Sequence, residues 1–248
     1  MFPQNRMILV ACMVSLLAAC GGGGGDSGTS SSVPANTAFP VAAAMTTLFQ
    51  TGTQKGLTIS GSTTGIYSGI TYPVSGNEII TIGASQPSVF NGISGYSLAE
   101  TVILNLTVNG GSGATNFVAV NYLNSSYQPI GAASTSTYCV ASNPFVYPVS
   151  ATSGQAGILG TNFCYSNSSK STLLGKTVYS WTTVSGSEVG NANALGFLVL
   201  SETYNTSNAL LQTVTFGYSI PTSGGASIYA YRTTYTTTDN YVTSVTAK

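Results

Sequence analysis

Any chemistry this chain performs has to rest on few residues. They are Cys12, Cys20, Cys139 and Cys164 and a handful of carboxylates, since there is no histidine anywhere. That absence removes the Ser-His-Asp triad, the Cys-His pair and the imidazole metal site. No G-x-S-x-G nucleophile elbow occurs, and no S-x-x-K precedes Lys55, Lys170, Lys176 or Lys248. A glycoside-cleaving carboxylate pair would have to come from Glu78, Glu100, Glu188, Glu202 and Asp239. Glu100 and Glu202 are the best placed, each at the margin of an apolar strand run. The simpler reading makes both of them strand-end carboxylates in water, so no catalytic residue is assigned and the chain is read as non-enzymatic. No Asp/Asn-rich loop has calcium spacing, and no metal or cofactor is expected.

The cysteines divide by position. Cys139 and Cys164 form an isolated pair whose spacing is far from C-x-x-C, so in an oxidising compartment a disulfide is expected between them. Cys12 lies in an apolar run, Met7 to Leu17, that is too short to span a bilayer as a helix. Arg6 precedes this run and Ala18-Ala19 follow it, so residues 1–19 read as an export signal. The sequence Leu17-Ala18-Ala19-Cys20 resembles the lipobox of bacterial lipoproteins. The resemblance covers the first 20 or so residues alone, and the rest of the chain resembles no characterised family. It implies that Cys20 becomes lipidated (diacylglycerol on the thiol, palmitate or a similar acyl chain on the amine). Gly21 follows in place of the aspartate that retains such proteins in the inner membrane. The implied location is therefore the outer membrane, lipid-anchored, on its periplasmic or surface face.

Residues 20–38 form the lipidated cysteine and a Gly/Ser tether, with a root-mean-square span of roughly 25 Å. Gly23, Gly25 and Gly28 match a dinucleotide fingerprint by letter but follow no strand and open no helix.

Beyond the tether, residues 39–248 read as a single β-domain, with an irregular segment near 141–155 as the join if it has two halves. Only 5% of the chain is charged and the formal net charge is zero, so no basic patch meets a nucleic-acid backbone. The abundance of Tyr, Thr and Val favours pleated, half-buried strands. Pro40 to Gln50 is the one credible helix, with Met45, Leu48 and Phe49 as its apolar stripe, packed on the domain or plugging its open end. From Lys55 onward the period is two, with turn signals throughout. The spacing predicts an antiparallel barrel or sandwich of roughly ten to twelve strands. A transmembrane barrel shares the alternation but fits neither the lipid anchor and tether nor Lys248. Tyr122, Tyr165 and Tyr204 each open an Asn/Ser-rich hairpin tip, a recurrence read as turn chemistry.

Tyr229, Tyr231 and Tyr235 share one strand parity, as do Tyr179 and Trp181. Such rows stabilise sheets through cross-strand pairs. As an alternative, Tyr229, Tyr231, Tyr235 and Trp181 are the candidate ligand contacts. Lys176 and Arg232 have the opposite parity, which would aim them inward, with Glu202 as a partner. Two function classes follow. One is a membrane-anchored interaction or structural module that meets a protein or glycan partner. The other is a barrel carrier with a small apolar or glycan ligand inside.

Overall fold

The structure, a computed structural model, describes the backbone of residues 37–236 and 241–248. Side chains are described within these ranges except at residues 231–233, 235–236 and 241. The export signal, Cys20, the glycine tether and Asp239 lie outside the described residues.

One helix, α1 (Val41–Thr51), precedes the strands. Ala42-Ala43-Ala44 favours it, and Pro40 stands just outside its first turn. Gly52 ends it with φ 71°, a conformation that suits glycine, and its N–H donates to Leu48 O at 2.8 Å. Val41, Ala44, Met45, Leu48 and Phe49 recur at spacings of three and four and are all buried.

The strands are β1 (Thr53–Gly65), β2 (Thr71–Ile82), β3 (Gln86–Phe90), β4 (Ile93–Val108), β5 (Gly111–Asn124), β6 (Pro129–Ser134), β7 (Tyr138–Ala141), β8 (Ala156–Tyr165), β9 (Leu173–Ser185), β10 (Ala194–Asn205), β11 (Leu210–Pro221), β12 (Ser227–Thr236) and β13 (Tyr241–Ala247). Every pairing is antiparallel. The order β2-β1-β13-β12-β11-β10-β9-β8-β7-β6-β5-β4 closes through β2–β4, giving a barrel. β3 is an extension of β2, because both pair with β4: Ile82 faces Glu100 and Gln86 faces Ser97. The fold class read from the sequence, all-β with one short helix, is therefore a barrel and not a sandwich. The sheet runs unbroken through the middle of the chain. The irregular segment 142–155 lies between β7 and β8, where Phe145 N–H donates to Pro129 O at 2.9 Å.

Turn chemistry sets the register. Asn91-Gly92 and Asn109-Gly110 have positive φ at both residues, 53° and 80° in the first and 49° and 78° in the second. That is the two-residue turn whose twist matches paired strands. The Asn/Ser-rich tips form as expected: Asn124 Oδ1 accepts from Ser126 and Gln128 N–H, and Asn205 Oδ1 from Ser207 and Ala209 N–H. They do not mark repeats of one unit, because β5–β6 turns at the α1 end and β8–β9 and β10–β11 turn at the opposite end. Ile66–Ile70 forms the β1–β2 tip.

Alternation sorts the wall. Leu57 and Ile59 of β1, Ile80 and Ile82 of β2, Phe197 and Val199 of β10, and Phe216 and Tyr218 of β11 join one core. Each such side chain contributes about 1.5–3 kcal/mol on burial. Their outward neighbours include Thr58, Ser60, Asn77 and Thr81. Polar pairs link outward rows, with Asn105 Nδ2 donating to Asn77 Oδ1 at 2.8 Å and Gln54 Nε2 to Thr81 Oγ1 at 3.1 Å. The outward positions mix these polar residues with exposed apolar ones, among them Ile79, Ile103, Val118 and Phe163.

The helix is a plug. Its buried face belongs to the same core as the inward rows. Phe49 reaches a cavity whose other walls come from β2, β4, β5, β6, β8, β9, β10, β11 and segment 142–155. Phe39 bridges Ala151 at the same end. Phe145, from segment 142–155, packs on Tyr179 with ring centroids 4.8 Å apart and lies on Gly160, where a Cβ would collide with its ring.

Candidate functional site

A polar layer interrupts the apolar bore. Glu78 stands on β2, Glu100 on β4, Asn121 on β5, Asn162 on β8, Tyr179 on β9 and Ser201 on β10. All six point inward and are buried, Glu78 to 1% exposure and Glu100 to 8%. Their parity explains the placement. Glu78 is in phase with Ile80 and Ile82, and Glu100 with Val102, Leu104 and Leu106, so burying the apolar row buries the carboxyl too.

This corrects the sequence reading of Glu100 as a strand-end carboxylate in water. It also separates the two acids that reading paired. Glu202 faces outward on β10, where its Oε2 accepts from Tyr204 Oη at 3.1 Å. Glu188 accepts from Ser185 N–H at 3.2 Å and caps the short 3₁₀ turn Gly186–Val189.

Burial dominates the electrostatics of the two interior acids. It pushes the Glu78 carboxyl up to about 8, with the charge of Glu100 adding to the effect. Burial also raises the Glu100 carboxyl, opposed by Asn121, whose Nδ2 donates to Glu100 Oε2 at 2.8 Å. Tyr147 and Tyr218 are likewise raised by burial, and Tyr218 also feels Tyr147 and Glu100. Burial therefore favours the neutral form of both acids, which stand on neighbouring strands.

Among the described residues, no base faces them. Lys176 points outward and lies 5.7 Å from the Tyr204 ring centroid. The inward placement expected for Lys176 does not occur, and Arg232, whose side chain lies outside the described ones, pairs with Thr215 in the backbone ladder. A β-sheet row alternates strictly, and Tyr179 and Trp181 take the inward positions.

Glu100, Asn121, Tyr147, Tyr179 and Tyr218 line one cavity with Phe49, Phe145 and other apolar residues. Its volume is about 30 Å³. Asn162 Nδ2 lies 3.5 Å from Tyr179 Oη, and Tyr179 faces Ser201 across the β9–β10 ladder. Nearer the open end, cross-strand threonines satisfy one another: Thr63 with Thr243 at 2.9 Å and Thr177 with Thr203 at 3.1 Å.

The aromatic candidates separate. Trp181 is inward and half-buried, its ring 5.7 Å from that of Phe197, so it serves the plugged end of the core. Tyr229 breaks the alternation expected along β12. A bulge between Gly217 and Tyr218 shifts the β11–β12 register, and the Tyr229 ring lies against Gly217 on the outside of the barrel. Tyr231 pairs with Phe216 and Tyr235 with Gln212 in the backbone ladder.

The Cys139–Cys164 disulfide is formed. The two residues are direct cross-strand partners on β7 and β8, with Cα atoms 4.0 Å apart, and both are buried. They tie β7, the shortest strand of the ring, to β8.

Asn121, Asn162 and Ser201 carry no catalytic spacing, and nothing in the sequence singles them out. Glu78 and Glu100 did carry a signal: a carboxylate in phase with an aliphatic row. Compared with known protein families, curated proteins and solved structures, the chain matches none.

Proposed function

We propose that this chain is a lipid-anchored, non-enzymatic outer-membrane protein that meets a protein or glycan partner through its outer surface. The filled bore carries this reading over that of a carrier. The cavity of about 30 Å³ is an order of magnitude below the roughly 300–1,000 Å³ of small-molecule sites. Glu78 and Glu100 are buried, to 1% and 8% exposure, which argues against hydrolysis by this pair.

The surface supplies supporting observations. The chain enters the barrel at the α1 end, so a tether from Cys20 attaches there. At the opposite end, successive hairpin tips expose Ile66, Tyr67 and Ile70, then Leu210 and Leu211, then Leu173 and Leu174. Val149 and Ile158 at the plugged end are strongly exposed too, and apolar residues on an outer surface suit contact with a partner.

Two measurements on the mature protein test the reading. Acyl-chain labelling in the producing cell should appear on the wild type and vanish in Cys20→Ala. Solvent extraction of the purified protein followed by mass spectrometry should release no stoichiometric small molecule. An unlabelled wild type would overturn the anchor, and a stoichiometric lipid or glycan would overturn the filled-bore reading in favour of the carrier.

A further inference from the structure

One wall of the barrel outruns its neighbour. β5 pairs with β4 along its whole length, from Gly111 to Asn124, but with β6 only from Ala119 to Leu123. β6 stops early, at a turn in which Ser134 N–H donates to Thr137 O at 2.9 Å. Among the described residues, 111–118 therefore have no strand on their β6 side. The two-residue Asn109-Gly110 turn makes Val108 and Gly111 a hydrogen-bonded pair. Alternation then turns the backbone N–H and C=O of Gly113, Thr115 and Phe117 toward β4. Those of Ser112, Ala114, Asn116 and Val118 point to the free side.

Exposed edges are normally blunted by a charge, a proline or a bulge. This edge has none of them. The β4–β5 register runs without a shift, no proline occurs between Pro87 and Pro129, and no charged residue occurs between Glu100 and Lys170. Apolar side chains flank the edge on both faces. Phe117 is half-buried in the inward row, beside the partly buried Leu104 and Leu106 of β4. Val118 and Ile103 are exposed in the outward rows. A Cβ at Gly113 would meet nothing within 4 Å, so the inner side of the edge is open.

We propose that residues 112–118 of β5 dock an extended, uncharged segment of another protein as an added strand. This rests on the reading of the chain as a partner-binding module and names its partner as a protein. A row of alternating N–H and C=O groups is matched by another backbone strand, and such a strand puts its alternate side chains beside Phe117 and Val118. A Lys or Glu facing that apolar row would lose water and meet no opposite charge. A second copy fits less well. Antiparallel edge-to-edge pairing about a two-fold axis would turn the two α1 ends, where the tethers attach, in opposite directions.

The test uses the mature chain and, as probe, a capped synthetic peptide alternating Thr and Val. Its control is the same peptide with alternate backbone amides N-methylated. Amide hydrogen exchange is read residue by residue. In the free protein Ser112, Ala114, Asn116 and Val118 should exchange fast, and Gly113, Thr115 and Phe117 slowly. The peptide should slow the first set by at least about tenfold and leave the second unchanged. The N-methylated peptide should do nothing. Ala114→Pro removes one free-side N–H but no β4–β5 bond, and should abolish the peptide's effect. If that variant does not fold, Asn116→Lys, which charges the edge, takes its place. Protection that survives either variant, or that the N-methylated peptide also gives, overturns the proposal, as does a peptide without effect. So do edge amides slow before any peptide is added: the chain itself covers them, or a second copy does where protection grows with protein concentration. Acyl labelling at Cys20 is read separately, so failure of the anchor and failure of the edge are distinct results.

Discussion

Asn121 donates its side-chain amide to Glu100 across the β4–β5 ladder at 2.8 Å, and both residues belong to the inward face of the barrel. This hydrogen bond opposes the burial that drives Glu100 toward neutrality. Glu78, one strand further round, has no such donor at Oε2.

The first prediction concerns pH. Glu78 is held at about 8 in the folded state, above its ordinary 4.5. Between those values the folded chain binds more protons than the unfolded chain, so stability is full at the acidic end and is lost as pH rises. The slope approaches about 1.4 kcal/mol per pH unit for one such group. Denaturant titrations from pH 5 to 8 should show a falling midpoint. Glu78→Gln should flatten the fall while leaving stability at pH 5 near that of the wild type. An unchanged slope in the variant would assign the effect elsewhere.

The disulfide makes a second prediction. It closes a sequence separation of 25 residues and ties β7, the shortest strand of the ring, to β8. The chain-entropy model gives about 3–4 kcal/mol for such a loop, and Cys139→Ser with Cys164→Ser should lose a comparable amount by equilibrium unfolding. Both sulfurs are buried in the native protein. Thiol trapping after mild reductant should therefore stay low until denaturant is added, and rapid labelling without denaturant would contradict their burial.

A third prediction separates a plug from a decoration. Leu48 and Phe49 enter the barrel core, while Thr47 on the opposite side of α1 bonds its own helix at 3.0 Å. Leu48→Ala should cost about 2–5 kcal/mol of global stability. Thr47→Ala should change it by under about 0.5 kcal/mol. If Leu48→Ala merely frayed α1, the main unfolding midpoint of the barrel would not move.

Much of this architecture is legible in the sequence because period-two alternation is strong where one face is fully buried. The β4 row from Val102 to Val108, the β10 row and the asparagine turns are examples. What stays hidden is physically specific. Glu100 lies two residues before that β4 row, and its charge argues for water while its phase argues for the bore. Phase wins because moving it out would turn Val102, Leu104 and Leu106 outward with it. β6 and β7 are too short for periodicity to register, and their places in the ring are set by the Cys139–Cys164 pairing and the Asn124 turn. Closure itself depends on β2 meeting β4 across β3, a non-local pairing with no local sequence mark. A bulge misplaces Tyr229: one extra residue opposite Gly217 moves its ring to the other side of the wall.

That last residue carries the final prediction. The Tyr229 ring covers Gly217, and a Cβ at Gly217 would occupy the space of the ring. Burial there, with Glu188 nearby, pushes the phenol up to about 12. Gly217→Ala must displace the ring or the β11 backbone, at a cost of about 1–3 kcal/mol. A ring swung into water loses the desolvation that raises it, so its phenol should return toward 10. Ultraviolet titration, with Tyr229→Phe as the difference reference, follows this one group among the tyrosines. A late-titrating phenol in the wild type that moves to lower pH in Gly217→Ala supports the covered-glycine geometry. A phenol near 10 in the wild type would mean that Tyr229 is already free of the wall, on the face where alternation alone would place it.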